Sequence, residues 1–125
     1  MIMTDREKTI ANAIQATTRA FGVPKDILCS RVRDTPTVLA RGCLVLLIRG
    51  RYNSNPYGIS TTYLGKFLNR DHSTIIHIQR SAGLWLDDHE HIFEDRYNIA
   101  LQNFLSLQEP VTEDDYDKTW SQWDY

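Results

Sequence analysis

The sequence is short of the residues that build secreted scaffolds and nucleotide-driven machines. It holds two cysteines, Cys29 and Cys43, and no Cys-x-x-Cys unit. The two could pair in principle, but without a secretion signal they are expected to be reduced and partly buried. No Gly-x-x-x-x-Gly-Lys-Ser/Thr loop occurs anywhere, so P-loop nucleotide chemistry is not expected. The longest apolar run, Cys43 to Ile48, is too short to span a bilayer. The first residues, Met1-Ile2-Met3-Thr4-Asp5-Arg6-Glu7, lack the basic-then-apolar pattern of a signal peptide. A cytoplasmic location without membrane contact is the expectation. No internal repeat is present.

Catalytic groupings are equally scarce. No nucleophile–base arrangement can be located. His72 and His77 lie five apart, a poor spacing for a helical metal pair. His89-x-His91, near Asp87, Asp88 and Glu94, hints weakly at a metal site, but histidines in a solvated acidic turn explain it more simply. The expectation is a non-enzymatic protein with no cofactor and no metal.

What is present suits one helical domain. The chain has 125 residues, 42% of them hydrophobic, and a mean hydropathy of −0.41, enough for a single core plus tails. The net charge of −2 weighs against a phosphate-holding surface, which is usually basic. The charge is uneven, however. Residues 1–108 carry 13 Lys+Arg and 10 Asp+Glu, a net of +3, whereas residues 109–125 carry one Lys and six acidic residues, a net of −5. A mildly basic domain over 1–108 and an acidic, aromatic tail over 109–125 follow.

Along the chain, Thr4 is a natural N-cap with Glu7 at the capping-box position, opening a helix over about residues 5–20 that ends near Gly22. Pro24 starts a short helix containing the core candidates Ile27 and Leu28. Ser30-Arg31-Val32-Arg33-Asp34-Thr35 is a polar loop able to touch phosphates, or else an ordinary solvated connection. Thr35 as cap and Pro36 at the first helical position open the most apolar segment, about residues 36–50, read as the central helix. Leu44–Ile48 also fits a buried strand, but no partner strand is evident, so helix is preferred. Gly42 would let a neighbouring backbone approach. Arg49–Gly58 is a loop.

Ser60 then caps a short helix, 61–68, with Leu64, Phe67 and Leu68 inward. Asn69-Arg70 makes a tight corner, and Asp71 caps the next helix, which reaches about Leu86. Ile75, Ile76 and Ile78 supply its apolar face, extended by Ala82, Trp85 and Leu86. His77 and Arg80 share a polar one. Two helices joined by three or four residues, the second offering Ser, Thr, His and Arg outward, is the helix-turn-helix pattern, suited to a DNA major groove. Asp87 or Asp88 is expected to cap a last helix running to about residue 107, stopped by Pro110. In the tail, Tyr116, Trp120 and Trp123 are spaced four and three apart. Disorder is the plain expectation for such composition. The aromatics suggest instead a segment that docks on its own domain or on a protein partner, or mediates self-association.

Arg70-Asp71-His72-Ser73-Thr74-Ile75-Ile76-His77-Ile78-Gln79-Arg80 resembles the motif Arg-Asp-His-Thr-Thr-Val-x-His-x-x-Arg of the C-terminal DNA-binding domain of the bacterial replication initiator DnaA. Arg70, Asp71, His72, Thr74, His77 and Arg80 match outright, and Ser73, Ile75 and Ile76 are conservative. Leu64-Gly65, Ala40-Arg41 and Pro24–Leu28 extend the likeness over roughly residues 5–105. The resemblance implies an all-α, Trp-repressor-like helix-turn-helix bundle of about five or six helices. It further implies sequence-specific binding of duplex DNA, in replication initiation, its regulation or transcription. His72, Ser73 and Thr74 would approach bases or phosphates, and Arg33 would enter the adjacent minor groove. Arg41, Lys66, Arg70, His77 and Arg80 would lie near the backbone or support the motif. The spacing from Leu64-Gly65 to Arg70-Asp71-His72 is one residue shorter than the family's, and the sequence departs from the family in three further ways. Val32, Asp34, Thr35 and Leu39 stand where positive charge is common, the Arg49–Gly58 link is longer, and the ATPase part is missing. It looks like a stand-alone binding domain, of the kind a phage or mobile element carries. The alternative is a protein-interaction module that kept the fold. For DNA binding, Arg33, Arg70 and Arg80 should share a positive surface; for an interaction module, acidic residues or an exposed apolar patch should interrupt it.

Overall fold

The computed structural model describes residues 3–51 and 54–108. These residues form six helices in an all-α bundle: α1 (Asp5–Phe21), α2 (Lys25–Leu28), α3 (Thr35–Arg49), α4 (Thr61–Leu68), α5 (His72–Asp87) and α6 (His91–Gln108). No strand occurs among the described residues, and no helix there is long and apolar enough to cross a membrane. The acidic segment 109–125 lies outside them.

Most helix ends follow local chemistry. Thr4 and Glu7 form a reciprocal capping box, and Gly22 ends α1 in the left-handed conformation at φ 67°. Ser60 and Asp71 accept from the third helical N–H of α4 and α5, as expected from side chains of that type. Two starts differ from expectation. Asp34, not Thr35, caps α3, accepting from the Thr37 amide at 2.9 Å, so the helix begins one residue earlier. At the other junction α5 runs through Asp87 and Asp88 is its C-cap. His89 then turns left-handed (φ 53°), and the Glu90 carboxylate accepts from the Ile92 amide at the start of α6. The acidic pair therefore ends one helix instead of beginning the next.

The most apolar segment is helix, not strand, and lies at the centre. Every residue from Ala40 to Ile48 is buried. α3 packs against α1 on one side and α5 on the other, with α6 laid along α1. Phe93 and Phe104 of α6, Ile10 of α1, and Leu64, Leu68 and Ile75 of the α4–α5 pair close the core. Gly42 matters here for a side chain. A Cβ at this position would meet the Trp85 ring at 2.7 Å and the Ala82 Cβ at 3.0 Å, so glycine lets α5 seat its indole on α3. The cysteines are free thiols. Burial pushes the Cys43 thiol up to about 12, and Cys29 donates to the Phe67 carbonyl at 3.1 Å.

Candidate nucleic-acid interface

The α4–α5 corner is built from three local features. Asn69 caps α4 in the left-handed conformation (φ 56°), which asparagine tolerates better than most residues. The chain then passes so close to α4 that a Cβ on Gly65 would overlap the Arg70 carbonyl oxygen. Asp71 restarts the helix: its carboxylate accepts from the Thr74 amide at 2.9 Å and from the Ser73 hydroxyl at 2.7 Å. Those hydrogen bonds hold its carboxyl down at about 2, so it is an anion at neutral pH. The helix–corner–helix geometry thus rests on a glycine that the close approach requires and on an asparagine and an aspartate suited to their places.

Four residues spaced i, i+4, i+7, i+11 recur around α5, one set per face. Ile75, Gln79, Ala82 and Leu86 are buried against the bundle. Opposite them Ser73, His77, Arg80 and Leu84 form an exposed outer ridge. Thr74, Ile78, Ser81 and Trp85 line a groove of about 390 Å³ on one flank, completed by Arg33, Val38, Arg41, Arg70 and His77. Ile76, Arg80, Gly83 and Asp87 line a second groove of about 630 Å³ on the other flank, with Arg49, Arg51, Gln79 and Leu84. The isoleucines therefore do not form one apolar face. Ile75 faces the core, Ile78 is half-buried, and Ile76 is 37% exposed.

The nine expected site residues fall into distinct roles. Arg41 is only 5% exposed. Its guanidinium donates to four main-chain carbonyls: Leu28 (2.8 Å), Val32 (2.6 Å), Ile27 (3.1 Å) and Ser30 (2.7 Å). Burial first, then the charge of Arg70, draws its pKa below the ordinary arginine value. Arg41 is thus a support and cannot itself reach a ligand without abandoning the loop. Arg70 is half-buried and also donates to the Ser30 carbonyl, as well as to those of Leu68 (2.9 Å) and Asn69 (3.2 Å). Arg41 of α3 and Arg70 of the α4–α5 corner together hold the loop between α2 and α3, and Arg31 and Arg33 stand exposed on it. Desolvation, followed by the charges of Arg31 and Arg33, lowers the Arg70 pKa, which puts these cations in one electrostatic cluster.

His72, Ser73 and Thr74 form the first turn of α5, with His72 and Ser73 exposed and Thr74 half-buried. His77 and Lys66 are exposed, and His77 borders the first groove. Arg80 stands on the outer ridge and borders the second groove with exposed Ile76 and Leu84, so it does not share the groove of Arg33 and Arg70 as expected of the three arginines. The motif did not single out Ser81, which lines the first groove, or Arg31, which is exposed on the α2–α3 loop. Ser81 was legible from the spacing, because it continues the stripe of Thr74.

The second groove is knitted internally. The Arg49 guanidinium donates to the Gln79 side-chain oxygen at 3.2 Å and to the Ile59 carbonyl. Gln79 in turn donates to the Gly50 carbonyl at 2.8 Å, and Arg51 pairs with Asp87. At the surface the His89 imidazole and the Glu94 carboxylate share a hydrogen bond of 3.0 Å. Among the described residues no group of three or more His, Cys, Asp or Glu is arranged to hold a metal ion. Comparisons with protein-family models, curated proteins and solved structures found no match.

Proposed function

We propose that the chain is a non-enzymatic, sequence-specific binder of duplex DNA that reads the major groove with the first turns of α5. The observation that carries this reading is the convergence at one end of α5. A capped helix start exposes His72 and Ser73, Thr74 and His77 edge a groove, and Arg33 and Arg70 border the same groove without a described acidic residue among its lining. Hydroxyls and imidazoles suit base edges and phosphates, a helix N-terminus favours anions, and guanidinium groups suit phosphate oxygens or a narrow minor groove. Lys66, Arg70 and Arg80 would contact the sugar–phosphate backbone on either side, and Arg33 would reach the adjacent minor groove. Arg41 would act only through the loop it holds. The likeness of residues 70–80 to the DnaA motif points the same way. It suggests origin or promoter boxes as targets, a role in replication or its regulation, and a cytoplasmic location.

Selection of bound sequences from random duplex DNA at fixed salt tests the reading. Enrichment of one short box, with affinity falling as salt rises, is the expected result. Recovery of unbiased sequences, with no retention at 50 mM salt, overturns it.

A second reading rests on the outer ridge itself. Leu84 is 60% exposed and Ile76 37% exposed, side by side with Arg80. An apolar element on that ridge fits a protein interface better than a phosphate track. Under this reading Leu84→Gln abolishes association with a partner or with a second copy. Under DNA recognition by the helix start, it changes duplex affinity little.

A further inference from the structure

We propose that segment 109–125 of the same chain occupies the groove between the α2–α3 loop and α5, the groove lined by Arg33, Val38, Arg70, Thr74, Ile78 and Trp85. The proposed consequence, competition with duplex, rests on the DNA-binding reading above. The occupancy itself does not.

Three observations carry it. The first is chemical complementarity. The groove is lined by the apolar side chains of Val38, Ile78 and Trp85 together with the arginines Arg33, Arg41 and Arg70. Segment 109–125 offers the matching pair of properties: Glu109, Glu113, Asp114, Asp115, Asp117 and Asp124 against one Lys118, interleaved with Tyr116, Trp120 and Trp123. The second groove is a poorer match, because Asp87 borders it and Arg49 already donates to Gln79 and Ile59. The second observation is where the segment departs. Gln108, the last residue of α6, donates to the Thr9 hydroxyl at 3.0 Å, and Asn12 donates to the Leu107 carbonyl at 3.3 Å. The segment therefore starts beside the first half of α1. Arg6, one turn away, lies over the Tyr63 ring of α4 at 4.3 Å, and α4 leads directly to Lys66 and Arg70. The third is length. The 17 residues of the segment span up to roughly 55 Å when extended. The path along one turn of α1 and the length of α4 is roughly 20 Å. A tethered segment is present at an effective concentration on the order of 1 mM, so a weak intrinsic affinity is enough to fill the groove.

The test uses the full chain. Amide spectra are compared for the parent, for a charge variant (Glu113→Gln, Asp114→Asn, Asp115→Asn, Asp117→Asn) and for an aromatic variant (Trp120→Ala, Trp123→Ala). Expected are shifts at Arg33, Val38, Thr74 and the Trp85 indole N–H in both variants, unchanged over a tenfold dilution. A random-sequence 20-base-pair duplex at 50 mM salt should bind the charge variant at least about fivefold more tightly than the parent. Unmoved groove resonances overturn the proposal, as do shifts confined to Arg49, Arg51 and Arg80. Shifts that vanish on dilution also overturn it, since they assign the groove to a second copy's segment. Groove shifts without duplex binding by any of the three chains uphold the occupancy and remove the DNA reading alone.

Discussion

The two grooves that flank α5 are similar in make-up and opposite in how their cations are used. Each contains one arginine of α3, Arg41 or Arg49, further arginines from outside it, and a full stripe of α5. In the second groove Arg49 and Arg51 are spent on neighbours: Arg49 on Gln79 and the Ile59 carbonyl, Arg51 on Asp87. In the first, Arg41 and Arg70 are spent on the carbonyls of a loop, and that loop presents Arg31 and Arg33 to solvent. Held inward, Arg49 and Arg51 knit a bend on one flank, where of the lining arginines only Arg80 faces solvent, whereas on the other Arg41 and Arg70 raise a second rank of charge. Counting arginines near a helix therefore says little about binding until it is known which of them already donate to carbonyls.

The sharpest way to break this contrast is to remove the hidden support. Arg41→Ala leaves the Leu28 and Val32 carbonyls without their donor and takes one donor each from those of Ile27 and Ser30, which keep Ser30 and Arg70, and with the loss of the buried side chain a fall in stability of about 3 kcal/mol is expected in urea unfolding. A loss below about 1 kcal/mol would mean the loop holds itself. The corner comes next. Gly65→Ala forces a methyl against the Arg70 carbonyl oxygen, with an expected loss of about 2 kcal/mol and weaker duplex binding at unchanged helix content. On the other flank, Gln79→Ala removes the link between Arg49 and the Gly50 carbonyl. A loss of about 1.5 kcal/mol, with duplex affinity little altered, would mark that groove as structural.

How far these elements were legible depended on the range of the interaction. Thr4, Ser60 and Asp71 were readable as caps because each bonds an amide three residues on. Asp34 was missed because Thr35 is also a capping residue and precedes a proline, and only the observed bond to Thr37 separates the two. The α5–α6 junction was misread because the aspartates there are compatible with either helix, and a left-handed His89 decides between them. The burial of Arg41 depends on carbonyls up to fourteen residues away, which no periodicity encodes. The stripes of α5 were present in the sequence, but the isoleucine run obscured which stripe is buried. Gln79, a polar residue, belongs to that buried stripe because Arg49 and Gly50 satisfy its amide.

Arg33 gives the next smaller effect and tests the contrast from the solvent side. Being exposed, Arg33→Ala should change stability by no more than about 0.5 kcal/mol. Its removal should still weaken binding to the selected duplex about tenfold, equivalent to about 1.4 kcal/mol. Arg80→Ala is expected to cost less affinity and to lower the salt dependence, as loss of a single phosphate contact does. Equal losses at both positions would place the two arginines on one continuous surface and erase the distinction between the flanks.

The smallest expected effect concerns the helix start itself. The hydrogen bonds from Ser73 and Thr74 lower the Asp71 carboxyl to about 2, below its ordinary value of 3.8. A carboxyl depressed in the folded state contributes stability that is present above the unfolded value and is lost as pH falls towards the folded one. Between about pH 4 and pH 2 the first turn of α5 should therefore loosen, carrying His72 and Thr74 with it. Asn caps nearly as well as Asp but has no charge to lose. Asp71→Asn should thus leave the cap in place at pH 6 and flatten this part of the acid profile. Asp34 and Glu7, also lowered by hydrogen bonds at helix starts, titrate in parent and variant alike and cancel in the difference. Thermal unfolding from pH 6 to pH 2 should show a gap between the two chains that closes with acid. A gap constant across that range would show that the cap works as a hydrogen-bond acceptor alone, without help from its charge at the positive end of the helix dipole.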